Sequence, residues 1–234
     1  MRVALFATCL ADRLYAEACA DAVRLLRKLG VEVEAPREQT CCGQPALNAG
    51  YVAEARRMAR HTVRAFRGAE HVVLPSGSCA GMLRTHFPQL LDGAEARDLA
   101  GRTWELSQFI VRVLGITDVG KGLEGRVVAY HHGCHALREL RVRDEPLVLL
   151  ANAGARVASW EADEECCGFG GLFSVKLPVV SAGMADRKLD TLPTVDCVTS
   201  TDAGCLMQLA CRARRRGLSL RFRHLASVLW EAAS

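Results

Sequence analysis

The 234-residue sequence lacks the features that would assign it to several common classes of protein. Charged residues interrupt every apolar run before it reaches the roughly 18 residues that a membrane-spanning helix requires. The formal net charge of +4 is small for this length and does not indicate a nucleic-acid partner. No G-x-G-x-x-G motif follows a predicted strand, so no flavin or nicotinamide site is indicated. We therefore expect a soluble globular protein with no nucleic-acid partner and no hydride-carrying cofactor.

The sequence also lacks an export signal and any C-x-x-C pair, although it contains 11 cysteines. Cysteine-rich chains without an export signal are typical of a reducing compartment, where clustered thiolates hold metal or perform redox chemistry. The odd count leaves no complete disulfide pairing. We expect the protein to be cytoplasmic and its cysteines to be reduced.

Four cysteines of the first half recur in the second half in the same order. We call Cys9, Cys41, Cys42 and Cys79 the first cysteine set, and Cys134, Cys166, Cys167 and Cys205 the second. Corresponding members lie 125, 125, 125 and 126 positions apart. Unrelated packing cysteines would not keep such a register, so we interpret the chain as two repeats, residues 1–118 and 119–234.

Each repeat alternates predicted strands with predicted helices. Strands are predicted at residues 3–7, "VEVEA" and "HVVLPS" in the first repeat and at "RVVAYH", "RVASW" and "DCVTS" in the second. Helices are predicted at residues 12–28, "YVAEARRMARHTVRAF" and "CAGMLRTHF" in the first repeat, and at residues 147–153, residues 177–189 and from about residue 203 in the second. Residues 116–125 form the predicted linker. This order predicts an α/β fold of two pseudo-symmetric repeats, each a mainly parallel sheet flanked by helices.

Parallel strands end at one edge of their sheet, and ligands bind beyond that edge. Cys9, Cys79, Cys134 and Cys205 each follow a predicted strand closely. The two CCG loops, at Cys41–Gly43 and Cys166–Gly168, could then lie over them. We therefore expect each cysteine set to converge at the carboxyl edge of its sheet.

Three chemistries fit four converging thiols. Structural zinc is disfavoured because its four-cysteine sites usually consist of two C-x-x-C knuckles. A labile vicinal disulfide would suit a catalytic redox couple, but it leaves the recurrence of the third and fourth cysteines unexplained. An iron–sulfur cluster accepts irregular spacing, and Gly43 and Gly168 would let backbone approach it closely.

The pattern resembles the CCG-type cysteine-rich domain family. The family includes the CCG-containing subunit of heterodisulfide reductase and the iron–sulfur subunits of glycolate and anaerobic glycerol-3-phosphate dehydrogenases. Within it, the motifs "TCCGQPALNAGY", "LPSGSCAGM", "ECCGFGGLFSVK" and "STDAGCLM" are most similar to those of lactate utilization proteins. One departure is the absence of a fifth cysteine in each set, where Met82 and Gln208 stand.

The resemblance implies that all eight cysteines are metal ligands and cofactor-binding residues. Four thiolates per set suit a [4Fe–4S] cluster, with one or two clusters per chain. It also implies an electron-transfer subunit of a complex that oxidises L-lactate to pyruvate. Its implied partner is a ferredoxin-like iron–sulfur protein, through which the chain could associate peripherally with a membrane. The alternative is a thiol–disulfide enzyme or redox sensor that uses the vicinal cysteines.

Other residues near the cysteines have two interpretations. His131, His132 and His135 would either donate N–H bonds to cluster sulfur or cap a strand and helix, with His135 the stronger candidate donor. Lys176 and Arg187 would balance cluster charge or lie in solvent. The remaining cysteines, Cys19, Cys197 and Cys211, are expected to behave as small apolar residues, and Cys197 would be the substitute for a missing ligand. The basic stretch 211–224 is expected to be a solvated helix face rather than a docking patch.

Overall fold

The computed structural model describes residues 1–234 and contains two four-stranded parallel sheets. The strands are β1 Arg2–Leu5, β2 Glu32–Glu34, β3 His71–Leu74 and β4 Thr103–Glu105 in the first sheet, and β5 Val127–Tyr130, β6 Arg156–Val157, β7 Cys197–Ser200 and β8 Phe222–His224 in the second. The strand orders are β2-β1-β3-β4 and β6-β5-β7-β8. The predicted α/β architecture of two parallel repeats is thus confirmed.

Helices connect successive strands in both repeats. The first repeat contains α1 Cys9–Leu14, α2 Ala16–Lys28, α3 Gln44–Asn48, α4 Val52–Ala65, α5 Gly77–Gly81, α6 Phe87–Leu90, α7 Ala94–Gly101 and α8 Leu106–Gln108, with π-helical turns at Met82–His86 and Phe109–Val113. The second contains α9 Cys134–Arg138, α10 Asp144–Asn152, α11 Leu172–Lys176, α12 Pro178–Asp190, α13 Ala203–Arg215 and α14 Leu225–Ala233. None of these helices has the length and apolar content needed to cross a membrane.

Strand pairing is similar in the two sheets, with a shift of one residue. Val3 lies opposite Val33 in the first sheet, and Val128 lies opposite Val157 in the second. The central strands β1 and β5 are almost entirely buried, as expected for strands with neighbours on both sides and helices on both faces. Strand β2 alternates exposed, buried and exposed residues, which is typical of an edge strand.

Three local features differ from the sequence prediction. Each sheet has a fourth strand, β4 or β8, that was not predicted because three residues are too few to establish a period of two. The predicted helix 12–28 is divided at Tyr15, whose φ of −136° and ψ of 48° are not helical. The predicted strand "RVASW" is limited to its first two residues, Arg156 and Val157.

The largest hydrophobic cluster is built from both repeats. A cluster of 26 buried residues includes Leu25 and Leu26 of α2 together with Leu225 and Leu229 of α14. Helix α14, at the end of the second repeat, packs directly against α2 of the first. The predicted linker forms no helix or strand, and its Val119 joins the shared cluster. The repeat boundary at residue 118 stays a prediction, but the repeats are packed as one body.

The shared core predicts that both repeats unfold together. Leu229→Ala would remove a fully buried side chain and lower the free energy of unfolding by about 2–5 kcal/mol. Urea denaturation followed by circular dichroism should show one transition, shifted as a whole. Val179→Ala, at an exposed position of α12, is the control and should leave the midpoint unchanged. Two transitions, only one of them shifted, would contradict the shared core.

Candidate metal centre

All eight cysteines of the two sets line a single cavity of about 220 Å³. The cavity lies at the carboxyl ends of β1, β3, β5 and β7, because the segments that follow these strands all contribute to its wall. The predicted convergence therefore occurs, with one feature that the sequence did not suggest. The carboxyl edges of the two sheets open on the same space, so the two cysteine sets face a common cavity.

In the first set, sulfur atoms that are far apart in sequence lie in contact. Cys9 Sγ lies 3.6 Å from Cys41 Sγ, and Cys42 Sγ lies 3.3 Å from Cys79 Sγ. These distances exceed the roughly 2.05 Å of a disulfide bond, and all 11 cysteines are free thiols. The set is therefore a cluster of four reduced sulfur donors.

The second set repeats this arrangement. The Cys166 thiol raises the pKa of Cys134, and the Cys166 and Cys205 thiols raise the pKa of Cys167, so these groups lie close together. Cys134 begins α9 just as Cys9 begins α1, and Cys205 lies in the first turn of α13. The same local structure thus presents four sulfur donors in each repeat.

Hydrogen bonding among the thiols favours one thiolate in each set. Hydrogen bonds from Cys42 and Cys9 lower the pKa of Cys41 to about 3. The hydrogen bond to Cys41 and burial in turn raise the pKa of Cys9. In the second set, hydrogen bonds from Cys134 and Cys167 lower the pKa of Cys166 to about 2. The remaining thiols must lose protons when they bind a metal, so metal binding is coupled to proton release.

The glycine of each CCG loop supports the sulfur cluster through its backbone. Gly43 and Gly168 have φ of +85° and +82°, in the left-handed region that favours glycine. The amide of Gly43 donates to Cys41 Sγ at 3.5 Å, and that of Gly168 donates to Cys166 Sγ at 3.4 Å. Phe169 makes a further amide bond to Cys167 Sγ at 3.4 Å. Such N–H···S bonds orient sulfur ligands and stabilise their negative charge.

Asp202 joins the two repeats beside the cavity. Its Oδ1 accepts hydrogen bonds from Ser76 Oγ, from the Ser78 amide and from Ser78 Oγ, at 3.0, 2.9 and 2.7 Å. Its Oδ2 lies against Gly133, where an added Cβ would approach to 2.2 Å. The buried carboxylate therefore fixes the loop before Cys79 relative to the loop before Cys205.

The histidines differ in their relation to the sulfur atoms. His135 lines the cavity, and its Nδ1 lies 2.6 Å from Glu139 Oε1, a contact that raises the histidine pKa. His131 is completely buried, and its ring lies within 4.8 Å of the sulfur atoms of Cys167 and Cys205. His132 is buried outside the cavity lining.

The other candidate residues lie away from the sulfur atoms. Cys197 is buried at the start of β7 and does not line the cavity, and Cys19 packs beside α1. Cys211 is exposed, so its expected role as a packed apolar residue is wrong. Lys176 is exposed, and Arg187 forms surface ion pairs.

The positions of the missing fifth cysteines also lie outside the cavity. Met82 is fully buried in the core of the first repeat. Gln208 donates a hydrogen bond to Ser181 Oγ at 2.7 Å. Both side chains therefore have structural partners of their own.

The sequence interpretation missed two buried charged residues, Asp202 and Lys188. Lys188 could have been found, because it shares the buried face of α12 with Ser181 and Ala185 at helical spacing. A lysine on such a face is unusual. Asp202 gives no comparable signal, because a polar residue before a helix normally indicates an N-cap.

A family model described as "Cysteine-rich domain" (CCG) matches residues 3–84 and 128–210. The chain belongs to the CCG cysteine-rich domain family. Each match contains one complete cysteine set and ends before the fourth strand of its sheet, and the two matches confirm the duplication and the resemblance inferred from the motifs.

The CCG relatives include full-length matches. The chain is 45% identical to lactate utilization protein A of Geobacillus kaustophilus, over 98% of each chain. It is 40% identical to the protein of the same name from Oceanobacillus iheyensis, over 98% of this chain and 96% of the relative. A crystal structure of a hypothetical protein from Helicobacter pylori matches with a TM-score of 0.68 at 8% identity, covering all of this chain and 49% of the other. That likeness shows the fold alone.

The residues around the cavity fit an iron–sulfur cluster. Each CCG repeat supplies four reduced sulfur donors and at least one backbone amide directed at sulfur. The loop of Gly168 passes so close to α12 that an added Cβ would lie 2.5 Å from Ser181 O. His131 adds a buried ring whose two nitrogens have no hydrogen-bond partner, next to Cys167 and Cys205. Unsatisfied buried donors of this kind indicate that a further acceptor belongs there.

Substitution of the CCG glycines should have graded effects. Gly168→Ala combines a positive φ with a backbone clash, so we expect a large loss of thermal stability and of metal uptake. Gly43→Ala shares the positive φ, but its Cβ would approach no atom more closely than Met58 Cβ, at 3.3 Å, so its effect should be milder. The control is Gly183→Ala in α12, which meets nothing within 4 Å and should be neutral or stabilising. Equal effects of all three substitutions would contradict this account of the loops.

Proposed function

We propose that this chain is an iron–sulfur electron-transfer subunit of an oxidoreductase complex that oxidises L-lactate to pyruvate in the cytoplasm. The observation that supports the cofactor most strongly is the convergence of eight reduced cysteines on one cavity in two equivalent sets. The relatives named lactate utilization protein A support the substrate assignment. The proposed partner is a ferredoxin-like iron–sulfur protein of the same complex.

In this proposal, Cys9, Cys41, Cys42 and Cys79 hold one [4Fe–4S] cluster, and the second cysteine set holds another. A bound cluster would supply one-electron chemistry. The protein's contribution is to position the sulfur atoms, to direct the amides of Gly43 and Gly168 at them and to limit their contact with water. Cys42 and Cys167 are the most deeply buried of the vicinal cysteines.

The alternative function is thiol–disulfide exchange. One observation favours it: each set contains a cysteine, Cys41 or Cys166, whose lowered pKa would give an activated thiolate. The same hydrogen bonds are equally expected in a metal-free ligand set. Moreover, this alternative uses only part of each set and assigns no role to the exact repetition of the other cysteines.

Removing one ligand from either set should distinguish the two functions. Cys9→Ser and Cys134→Ser should each lose about half of the iron taken up during anaerobic reconstitution with iron and sulfide, because each removes one of four ligands. Iron and labile sulfide are measured chemically, and the reduced proteins are examined by EPR. Cys211→Ser, at an exposed position outside the cavity, is the control and should retain full uptake.

Other outcomes of these measurements would identify the protein as a thiol–disulfide enzyme or as a structural zinc protein. A thiol–disulfide enzyme would retain dithiol redox activity in Cys9→Ser and take up no iron in any form. A structural zinc protein would bind zinc stoichiometrically and give no EPR signal after reduction. Either result would overturn the proposed cofactor.

A further inference from the structure

The two cysteine sets have equivalent backbones but different buried neighbours. The residue after β1 is Phe6, and the equivalent residue after β5 is His131. The equivalence is structural, because the amide of Phe6 donates to Val73 O and that of His131 donates to Thr199 O, on corresponding strands. An apolar ring in the first repeat is thus replaced by a nitrogen-bearing ring in the second.

A second pair of equivalent positions differs by a charge. Gly43 lies against Met58 of α4, and Gly168 lies against Met184 of α12, which aligns the two helices. Four residues further along each helix stand Thr62 and Lys188, and both are fully buried. The second repeat therefore contains an ammonium group where the first has a neutral hydroxyl.

Lys188 is held in a way that fits the charged form. Its Nζ donates to the carbonyl oxygens of Ala162, Asp163 and Glu165, three acceptors for the three N–H bonds of an ammonium group. It also lies 4.4 Å from the centre of the Trp160 ring. All three acceptors are neutral backbone groups, and they precede Cys166 directly in the chain. Burial lowers the pKa of Lys188 to about 8, and the nearby charges of Asp163 and Glu165 oppose that lowering. No carboxylate is bonded to the ammonium group, which lies beside the CCG loop.

His131 adds a hydrogen-bonding ring to the same side of the cavity. Neither ring nitrogen has a partner, and the ring is within 4.8 Å of the sulfur atoms of Cys167 and Cys205. In the first repeat Phe6 stacks instead on Phe66, with ring centres 5.2 Å apart, and offers no donor.

Asp202 is a buried carboxylate near the second set, and its negative charge opposes the positive charge of Lys188. Its Oδ1 is already bonded by three donors of the first repeat, and it lines the cavity that both sets share. Asp202 belongs to the second repeat as well, and its charge raises the pKa of Cys134. The three hydrogen bonds to Oδ1 offset this negative charge, and Lys188 and His131 are the groups of the second repeat that favour an added electron.

We propose that Lys188 and His131 make the second cysteine set the site where an added electron is held more tightly, which gives electron transfer through this chain a direction. The inference rests on the proposed function, because it requires a cluster at each set. Nearby positive charge and hydrogen bonds to sulfur both stabilise a reduced cluster. A one-electron reductant gives up one electron, which resides at the second set, and no bond is made or broken. Lys188 also positions the loop before Cys166 through its three carbonyl contacts.

The test is an EPR-monitored redox titration of the reconstituted full-length chain, with dithionite as reductant. Two reduction steps of unequal midpoint are expected. Cys134→Ser, which retains only the first set, should show the lower midpoint, and Cys9→Ser should show the higher one. Lys188→Met should lower the higher midpoint by at least 59 mV, a tenfold change in a one-electron equilibrium. His131→Phe, which copies Phe6, should lower the same midpoint.

Two variants separate charge from structure. Lys188→Arg keeps the positive charge, so the higher midpoint should stay unchanged. If Lys188→Met acted only by altering the packing, Lys188→Arg would lower that midpoint too. Lys176→Met removes an exposed lysine from the neighbouring helix α11 and should leave both midpoints unchanged. Circular dichroism and iron content establish that each variant is folded and loaded. If Lys188→Met does not fold, the inference is tested by the midpoint of His131→Phe and by the difference between the midpoints of Cys9→Ser and Cys134→Ser.

The outcomes of this titration test the inference about unequal midpoints separately from the proposed iron–sulfur function. Equal midpoints in the two single-set variants, or midpoints unchanged by both Lys188→Met and His131→Phe at full iron content, would overturn this inference and leave the proposed function standing. A shift of the first set's midpoint instead of the second's would also overturn it. Failure of the unaltered chain to take up iron would overturn the proposed function and this inference together.

Discussion

The structure depends on bringing four sulfur atoms together from three separate segments of the chain, and it does so twice. Parallel sheets meet this constraint, because the loops after neighbouring strands emerge at the same edge. In the first repeat the segments after β1, β2 and β3 supply Cys9, the Cys41–Cys42 pair and Cys79. Bringing both edges to one cavity then requires a shared core and a polar link between the repeats. Helix α14 against α2 provides the first, and Asp202 provides the second.

Much of this arrangement could be predicted from the sequence. The spacing of the cysteines revealed the duplication, because four cysteines of each half align with those of the other half at an almost constant offset. Apolar runs predicted three of the four strands of each sheet and the helices between them. The convergence of each set followed from strand direction alone. The fourth strands β4 and β8 escaped prediction because three residues carry too little pattern, and the break at Tyr15 because helical periodicity continues across it.

The features that could not be predicted are those that depend on how the repeats meet. Nothing in the local sequence of Asp202 indicates that its carboxylate binds Ser76 and Ser78 of the other repeat instead of capping α13. The proximity of His131 to Cys167 and Cys205 depends on the packing of β5 and β7 against the CCG loop. The buried position of Lys188 could be suspected from helical spacing, but its three carbonyl partners could not. Equivalent backbones with different buried neighbours are therefore visible only in three dimensions.

These differences give a duplicated chain two sites that need not behave alike. Duplication supplies two equivalent sets of donors, and substitution at a few buried positions, such as Phe6 against His131, then changes the surroundings of one set. Both the electron-transfer function and the difference between the two sets require that these donors hold iron and sulfide. The most direct test is Mössbauer spectroscopy of the full-length protein, purified anaerobically from cells grown with ⁵⁷Fe. We expect iron in tetrahedral sulfur coordination with a matching amount of labile sulfide. A protein that contains stoichiometric zinc, or neither metal, would contradict the proposed iron–sulfur clusters.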